Sequence, residues 1–296
     1  QGLDASISGA VSYVDLLLWG NGSDGAVTLT AAGATPLPYA TRTGATWTLT
    51  REVYATNFTV EAGVTVDTQG KAVWCTGTFT NNGTHGVYGT SGVGQLGGAG
   101  LQGSFGFSNN GPSGASGTNN GNPPTGGSNN AMATTSTPGG GAGARTGGSG
   151  TSNFAGVSVP FPTYTTPWFA ITRFVRNNYV VGSTGGGGGA SDVTAGGTAT
   201  GGGGAGGLPV HAIIARAFNN LGTVESRGGN GGNAATTGAG IAGGGGASNG
   251  GGIYILTSNL VATGTIQSVG GTGGAGANGG LAGTNGAAGP TFLITV

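Results

Sequence analysis

Between Trp47 and Thr80 apolar and polar residues alternate: Trp47 and Leu49, Phe58 and Val60, Val64 and Val66, Val73 and Cys75, then Phe79, with Thr, Asn or another polar residue in between. A period of two turns one face of the chain towards a core, so these stretches predict short β-strands, broken at Arg51–Glu52, Ala62–Gly63 and Gln69–Gly70. A further strand is predicted at Ala26–Ala31. An internal repeat follows. Residues 222–234 align with 264–276 at a shift of 42 without a gap, and the same shift puts Ile213-Ile214 on Ile255-Leu256 and Phe218 on Leu260. A poorer third copy sets Gly83-Thr84 on Gly222-Thr223, Phe79 on Phe218 and Trp74-Cys75 on Ile213-Ile214. Such self-similarity predicts a stack in which each unit buries its neighbour's face.

Composition changes the picture in one respect. Gly supplies 73 of the 296 residues, so apolar side chains look too sparse for a conventional core and the backbone must hydrogen-bond to itself. A collagen period is absent at Gly185–Gly189 and Gly201–Gly204. The expected fold is therefore all-β and irregular, with β-helix-like short strands combined with a packed sandwich of polyglycine II-type helices. The expected organisation is a leader or assembly segment over 1–46, a β-rich unit over 47–85, a Gly/Asn/Ser-rich region over 86–153, an aromatic insertion over 154–181 and the glycine-rich repeat over 182–296. A chain that starts at Gln1 is expected to be matured by proteolysis or trimmed.

Eight basic and eight acidic residues cancel, which removes the basic footprint that nucleic acids require. No apolar run is long enough to span a bilayer, since Val14–Trp19 is interrupted by Asp15. Cys75 is the only cysteine and is expected to be a buried apolar filler.

Motifs for chemistry are sparse. Gly246-Ala247-Ser248-Asn249-Gly250 fits G-x-S-x-G but lacks the preceding strand and following helix of a nucleophile elbow. Gly228–Thr236 imitates a calcium-binding nonapeptide, yet Asn233 stands where Asp is needed. Around Lys71, Ala72 and Thr65 depart from the P-loop pattern. No metal and no cofactor is expected. His85 and His211 read as structural or surface residues and not as a catalytic base. A glycosidase needs two carboxylates flanking the sugar bond; its candidates are Asp4, Asp15, Asp24, Glu52, Glu61, Asp67, Asp192 and Glu225, none of which form a close pair in sequence.

The blocks Asp24-Gly25-Ala26-Val27-Thr28-Leu29-Thr30, Thr48 to Val60, Gly63-Val64-Thr65-Val66-Asp67-Thr68 and Gly77 to Thr84, with the later copies Ala217 to Thr223 and Thr263 to Ile266, resemble glycine-rich tail-fibre and adhesin proteins of tailed bacteriophages. That resemblance implies a rigid glycine sandwich, loops that contact a host surface, and no catalytic residue. The expectation is a non-enzymatic virion or cell-surface protein binding a host surface glycan or protein. Phe105, Phe107, Asn109, Asn110, Tyr164, Trp168 and Tyr179 are its receptor-contact candidates. Partners would include other virion or filament subunits and copies of the chain itself, joined through Leu16, Leu17, Leu18, Trp19, Phe161, Phe169 and Phe174. Two alternatives stand beside it: a self-assembling subunit of an extracellular filament or capsid coat, and a polysaccharide-cleaving β-helix.

Overall fold

The computed structural model describes residues 18–32, 37–101, 198–238 and 240–296. Fourteen strands follow one another: β1 (Gly25–Leu29), β2 (Ala40–Thr43), β3 (Thr46–Leu49), β4 (Val53–Val60), β5 (Thr65–Asp67), β6 (Val73–Asn81), β7 (Thr84–Tyr88), β8 (Thr198–Thr200), β9 (His211–Asn220), β10 (Thr223–Arg227), β11 (Ala235–Thr237), β12 (Ile253–Ala262), β13 (Thr265–Val269) and β14 (Thr291–Thr295). They build two six-stranded sheets, β1-β4-β6-β9-β12-β14 and β13-β10-β7-β5-β3-β2, and a small β8–β11 pair. The first sheet is parallel throughout. The second is parallel except at β2–β3, which pair antiparallel.

From β4 onward the chain alternates between the sheets, so each coil adds one strand to each. Residues 42 apart become neighbours: Thr223 pairs with Thr265 and Ile253 with His211. Like residues then stack on like, and Phe58, Phe79 and Phe218 form a ladder with ring centroids 5.6 Å apart at each step. Every second residue enters the space between the sheets, including Val27, Leu29, Trp47, Val66, Val73, Ile213, Val224, Ile253 and Ile255. Full burial of each large side chain contributes roughly 1.5–3 kcal/mol. At the corner between β9 and β10, buried Asn220 accepts from Asn81 Nδ2 at 2.7 Å and donates to the carbonyls of Thr263 and Thr265. These amides satisfy backbone groups that the turn between sheets leaves unpaired.

This architecture corrects the expected fold. Among the described residues the regular elements are strands, and no layer of polyglycine II-type helices is found. Apolar residues are sparse in the whole chain but concentrated in the strands, which is enough to form a core between two sheets. The glycine segments instead run as extended legs that leave the end of a second-sheet strand and return to the start of a first-sheet strand: 228–238 and 240–252, with β11 among them, between β10 and β12, and 270–290 between β13 and β14. Their amides bond laterally, as in Gly231 N–H to Thr272 O at 2.9 Å and Gly274 N–H to Gly245 O at 2.8 Å.

The third repeat copy is offset by one residue from its alignment. Val73 pairs with Ile213, Trp74 with Ile214 and Cys75 with Ala215, and an irregularity between Cys75 and Thr78 restores Phe79 opposite Phe218. Cys75 is fully buried in the main core, and burial pushes its thiol far above the ordinary range.

Candidate active site

The second sheet has an inner and an outer face, and the parallel register sorts residues between them in rows. One inner row holds Ile266, Val224, His85, Val66 and Trp47. His85 is fully buried, with its ring edge-on to Phe58 and Phe79 at 5.9 and 5.1 Å. It lies against the ring of His211, the first residue of β9, at 4.9 Å between centroids.

Polar contacts fix both tautomers. His211 Nδ1 is 3.0 Å from the carbonyl oxygen of Glu225; a carbonyl only accepts, so Nδ1 carries the proton. The remaining nitrogen, Nε2, then accepts from His85 Nδ1 at 2.9 Å. His85 Nε2 is left with a bare lone pair and no hydrogen-bond partner among the described residues. Burial holds both imidazoles neutral: it lowers His211 to about 4 against the opposing pull of Glu225, and takes His85 well below its ordinary value, helped by His211.

On the outer face the next row reads Gln267, Glu225, Gly86, Asp67 and Thr48. Glu225 and Asp67 are both register partners of Gly86, so their Cα atoms stand two strand spacings apart, about 9.6 Å. Gly86 is glycine for a reason. A Cβ there would meet the Tyr88 hydroxyl at 2.8 Å and Glu225 Cγ at 3.1 Å, so the phenol folds over position 86 beside the Glu225 side chain.

Three donors converge on the Glu225 carboxylate: Arg227 Nη2 at 3.0 Å, Gln267 Nε2 at 3.0 Å and the Tyr88 hydroxyl. Burial and the Glu225 charge push the Tyr88 phenol up, so it stays protonated and donating. Asp67 accepts from the backbone and side-chain nitrogens of Gln69. Burial nevertheless dominates and raises its carboxyl above the usual range. The pair thus sets a carboxyl whose proton affinity burial raises beside one that accepts from three donors, two unlike surroundings of the kind that acid–base catalysis draws on.

A second outer row runs alongside. Thr265, Thr223, Thr84, Thr65, Thr46 and Thr43 are successive register partners, one per strand. At about 4.8 Å per step the row is about 24 Å long.

These groupings correct the expectation of a non-enzymatic tail-fibre adhesin. The His85–His211–Glu225 network and the carboxylate pair beside it are drawn from segments far apart in the chain and gather titratable groups in one place, an arrangement consistent with an active site. The missed signal is a recurring Thr-x-acid or Thr-x-amide triplet: Thr65-Val66-Asp67, Thr223-Val224-Glu225 and Thr265-Ile266-Gln267.

Other acidic residues are placed otherwise. Asp24 is clamped by Arg51 at 2.6 and 2.9 Å, which holds its carboxyl below the usual range, and Glu52 accepts from the Tyr54 hydroxyl. Glu61 is exposed on a turn. Asp4, Asp15 and Asp192 lie outside the described residues, as do Leu16, Leu17, Phe105, Phe107, Asn109, Asn110, Phe161, Tyr164, Trp168, Phe169, Phe174 and Tyr179. Trp19 is buried within its own chain against Ala72, Ala212, Ile214 and Leu256, with Leu18 packed alongside. Ser248 is fully buried and its hydroxyl accepts from Gly229 N–H at 2.8 Å, so the G-x-S-x-G match presents no nucleophile.

No group of three or more His, Cys, Asp and Glu suited to a metal ion occurs among the described residues. Comparisons of the chain with family models, with curated proteins and with solved structures gave no match.

Proposed function

We propose that this protein hydrolyses a glycosidic bond of an uncharged polysaccharide at the Asp67–Glu225 pair. The observation that carries the reading is the placement of these two acidic residues on either side of Gly86 in one row of the second sheet's outer face, where the Glu225 side chain keeps 8% of its surface exposed. Side chains rooted two strand spacings apart suit the wider, inverting arrangement, which needs room for a water between its carboxyl groups, better than the close retaining one. In this reading Asp67 is the general acid and gives a proton to the leaving glycosidic oxygen. Glu225 takes a proton from water as that water attacks the anomeric carbon from the opposite face. The bond to the leaving oxygen breaks, the bond to water forms, and the anomeric configuration inverts.

Substrate class follows from the surroundings. Arg227, the cation beside the pair, is already held by Glu225, whereas the threonine row offers evenly spaced hydroxyls and methyls to a neutral sugar polymer lying across the strands. An extracellular glycan is the substrate proposed, in the virion or cell-surface setting expected from the sequence.

Release of reducing ends from a panel of neutral bacterial and plant polysaccharides tests the reading. Asp67→Asn and Glu225→Gln should each lower kcat by about 10²-fold or more while the circular dichroism of the folded chain stays unchanged. A wild-type chain that releases no reducing sugar from any of them, or variants as active as wild type, would refute it.

A further inference from the structure

The hydrolytic reading uses Asp67, Tyr88 and Glu225 and leaves two imidazoles unexplained. They are costly where they are. His85 Nε2 is a buried acceptor with no partner among the described residues, and an orphan of this kind is the expensive outcome of burying a polar group. The neighbouring positions of the same inner row are Val224 and Val66, so the site itself would accept an apolar side chain. Neither imidazole reaches a substrate, since both are fully buried. Their onward connection is His211 Nδ1–H to the carbonyl of Glu225.

We propose that His85 and His211 form a positioning strut for Glu225: His85 locks the ring of His211 through its Nδ1–H, and His211 in turn holds the peptide carbonyl of the residue whose carboxylate faces the outer surface. The strut crosses from the first sheet to the second, so it sets the height of residue 225 relative to the core beneath it. Strand pairing with β7 and β13 fixes residue 225 within its sheet but leaves displacement perpendicular to the sheet to be limited by packing. A hydrogen bond from the opposite sheet supplies that missing constraint. On the outer side the same residue is held by Tyr88, Arg227 and Gln267, so Glu225 is fixed at its backbone from below and at its carboxylate from the side.

This inference rests on the acid–base reading for its consequence in catalysis, but its geometry is measured without any substrate. In full-length protein labelled with 15N-histidine, long-range nitrogen–proton correlation spectra should show both rings as Nδ1–H tautomers at neutral pH. An Nε2–H pattern for either ring would overturn the strut. Variants of His211 then separate positioning from packing. Asn places its amide nitrogen near the position of Nδ1 and keeps the donor to Glu225, whereas Leu keeps bulk and removes the donor. His211→Leu should lower kcat by about 10–100-fold, by analogy with the loss on removing an outer hydrogen bond from a metal ligand, with KM within about twofold. His211→Asn should recover most of that loss. Equal loss in both folded variants would reduce the pair to packing and overturn the proposal. If wild-type protein cleaves no polysaccharide, the hydrolytic reading falls separately, and the strut is decided by the Glu225 carbonyl 13C resonance. It should move in His211→Leu and stay in His211→Asn; a carbonyl indifferent to both would overturn the strut on its own.

Discussion

A buried neutral imidazole ties stability to pH in a direction set by its protonation in the two states. His211 has an ordinary value of 6.5 and a folded one of about 4, so in the interval between them the unfolded chain binds a proton that the folded chain refuses. Stability is whole above about pH 6.5 and falls as pH drops towards 4. Each tenfold loss of proton affinity on folding corresponds to about 1.4 kcal/mol, so His211 alone removes on the order of 3 kcal/mol across that window. Urea denaturation at pH 7 and pH 4.5 should show the loss, and a His85→Phe, His211→Leu double variant should show a flatter dependence. An equal slope in both proteins would mean that other groups carry it. Residues also show what was legible in the sequence. Alternation identified Phe58, Val60, Val66 and Phe79 as inward-facing, and all are buried. Asp67 and Glu225 could not be paired in the same way, because their proximity depends on which strands lie either side of β7. Alternation gives the face of a strand and is silent about its neighbours.

At the scale of elements, the strands and the glycine legs obey different constraints. A strand tolerates side chains because its two faces are open to the core or to solvent. The legs are packed backbone against backbone. Gly245 donates to Gly232 O at 2.9 Å and accepts from Gly274 N–H at 2.8 Å, and a Cβ added to it would collide with the carbonyl of Gly203. Gly44, in the turn between β2 and β3, has φ +61° and open space around it. Its replacement by Ala incurs only the left-handed backbone penalty, about 1–2 kcal/mol. Gly245→Ala must push a neighbouring leg aside, and overpacking of this kind costs about 3 kcal/mol. Thermal denaturation should therefore rank Gly245→Ala clearly below Gly44→Ala, and the reverse order would show that the legs are not close-packed. The sequence indicated that the glycine backbone must hydrogen-bond to itself but assigned it a helical layer of its own. The difference arises because glycine composition reports close approach without direction. Where the legs run is decided by the strands they connect, at Arg227 and Ile253 and at Val269 and Thr291.

For the whole molecule, the relevant fact is that the shift of 42 read between residues 222–234 and 264–276 is the hydrogen-bonding register of β10 with β13. Each coil touches mainly the coils on either side of it, so stability should behave as a sum of coil and interface contributions. This makes coil number adjustable. Inserting a second copy of residues 223–264 after Gly264 would add one strand to each sheet and one glycine loop to the stack. The junctions suit it: Thr223 takes the place of Thr265, and the closely packed glycines at 228, 229, 231 and 232 coincide with those at 270, 271, 273 and 274. Asn220 would still donate to the carbonyl after the next corner, since its acceptors Thr263 and Thr265 are replaced in kind. The row that holds Asp67, Gly86 and Glu225 lies on strands β5, β7 and β10, whose order the insertion leaves intact. The lengthened protein should unfold in one transition at a temperature no lower than that of the parent, and should cleave polysaccharide at the parental rate. A transition that splits in two, or falls, would mean that the coils are not interchangeable and that stability resides in one indivisible core.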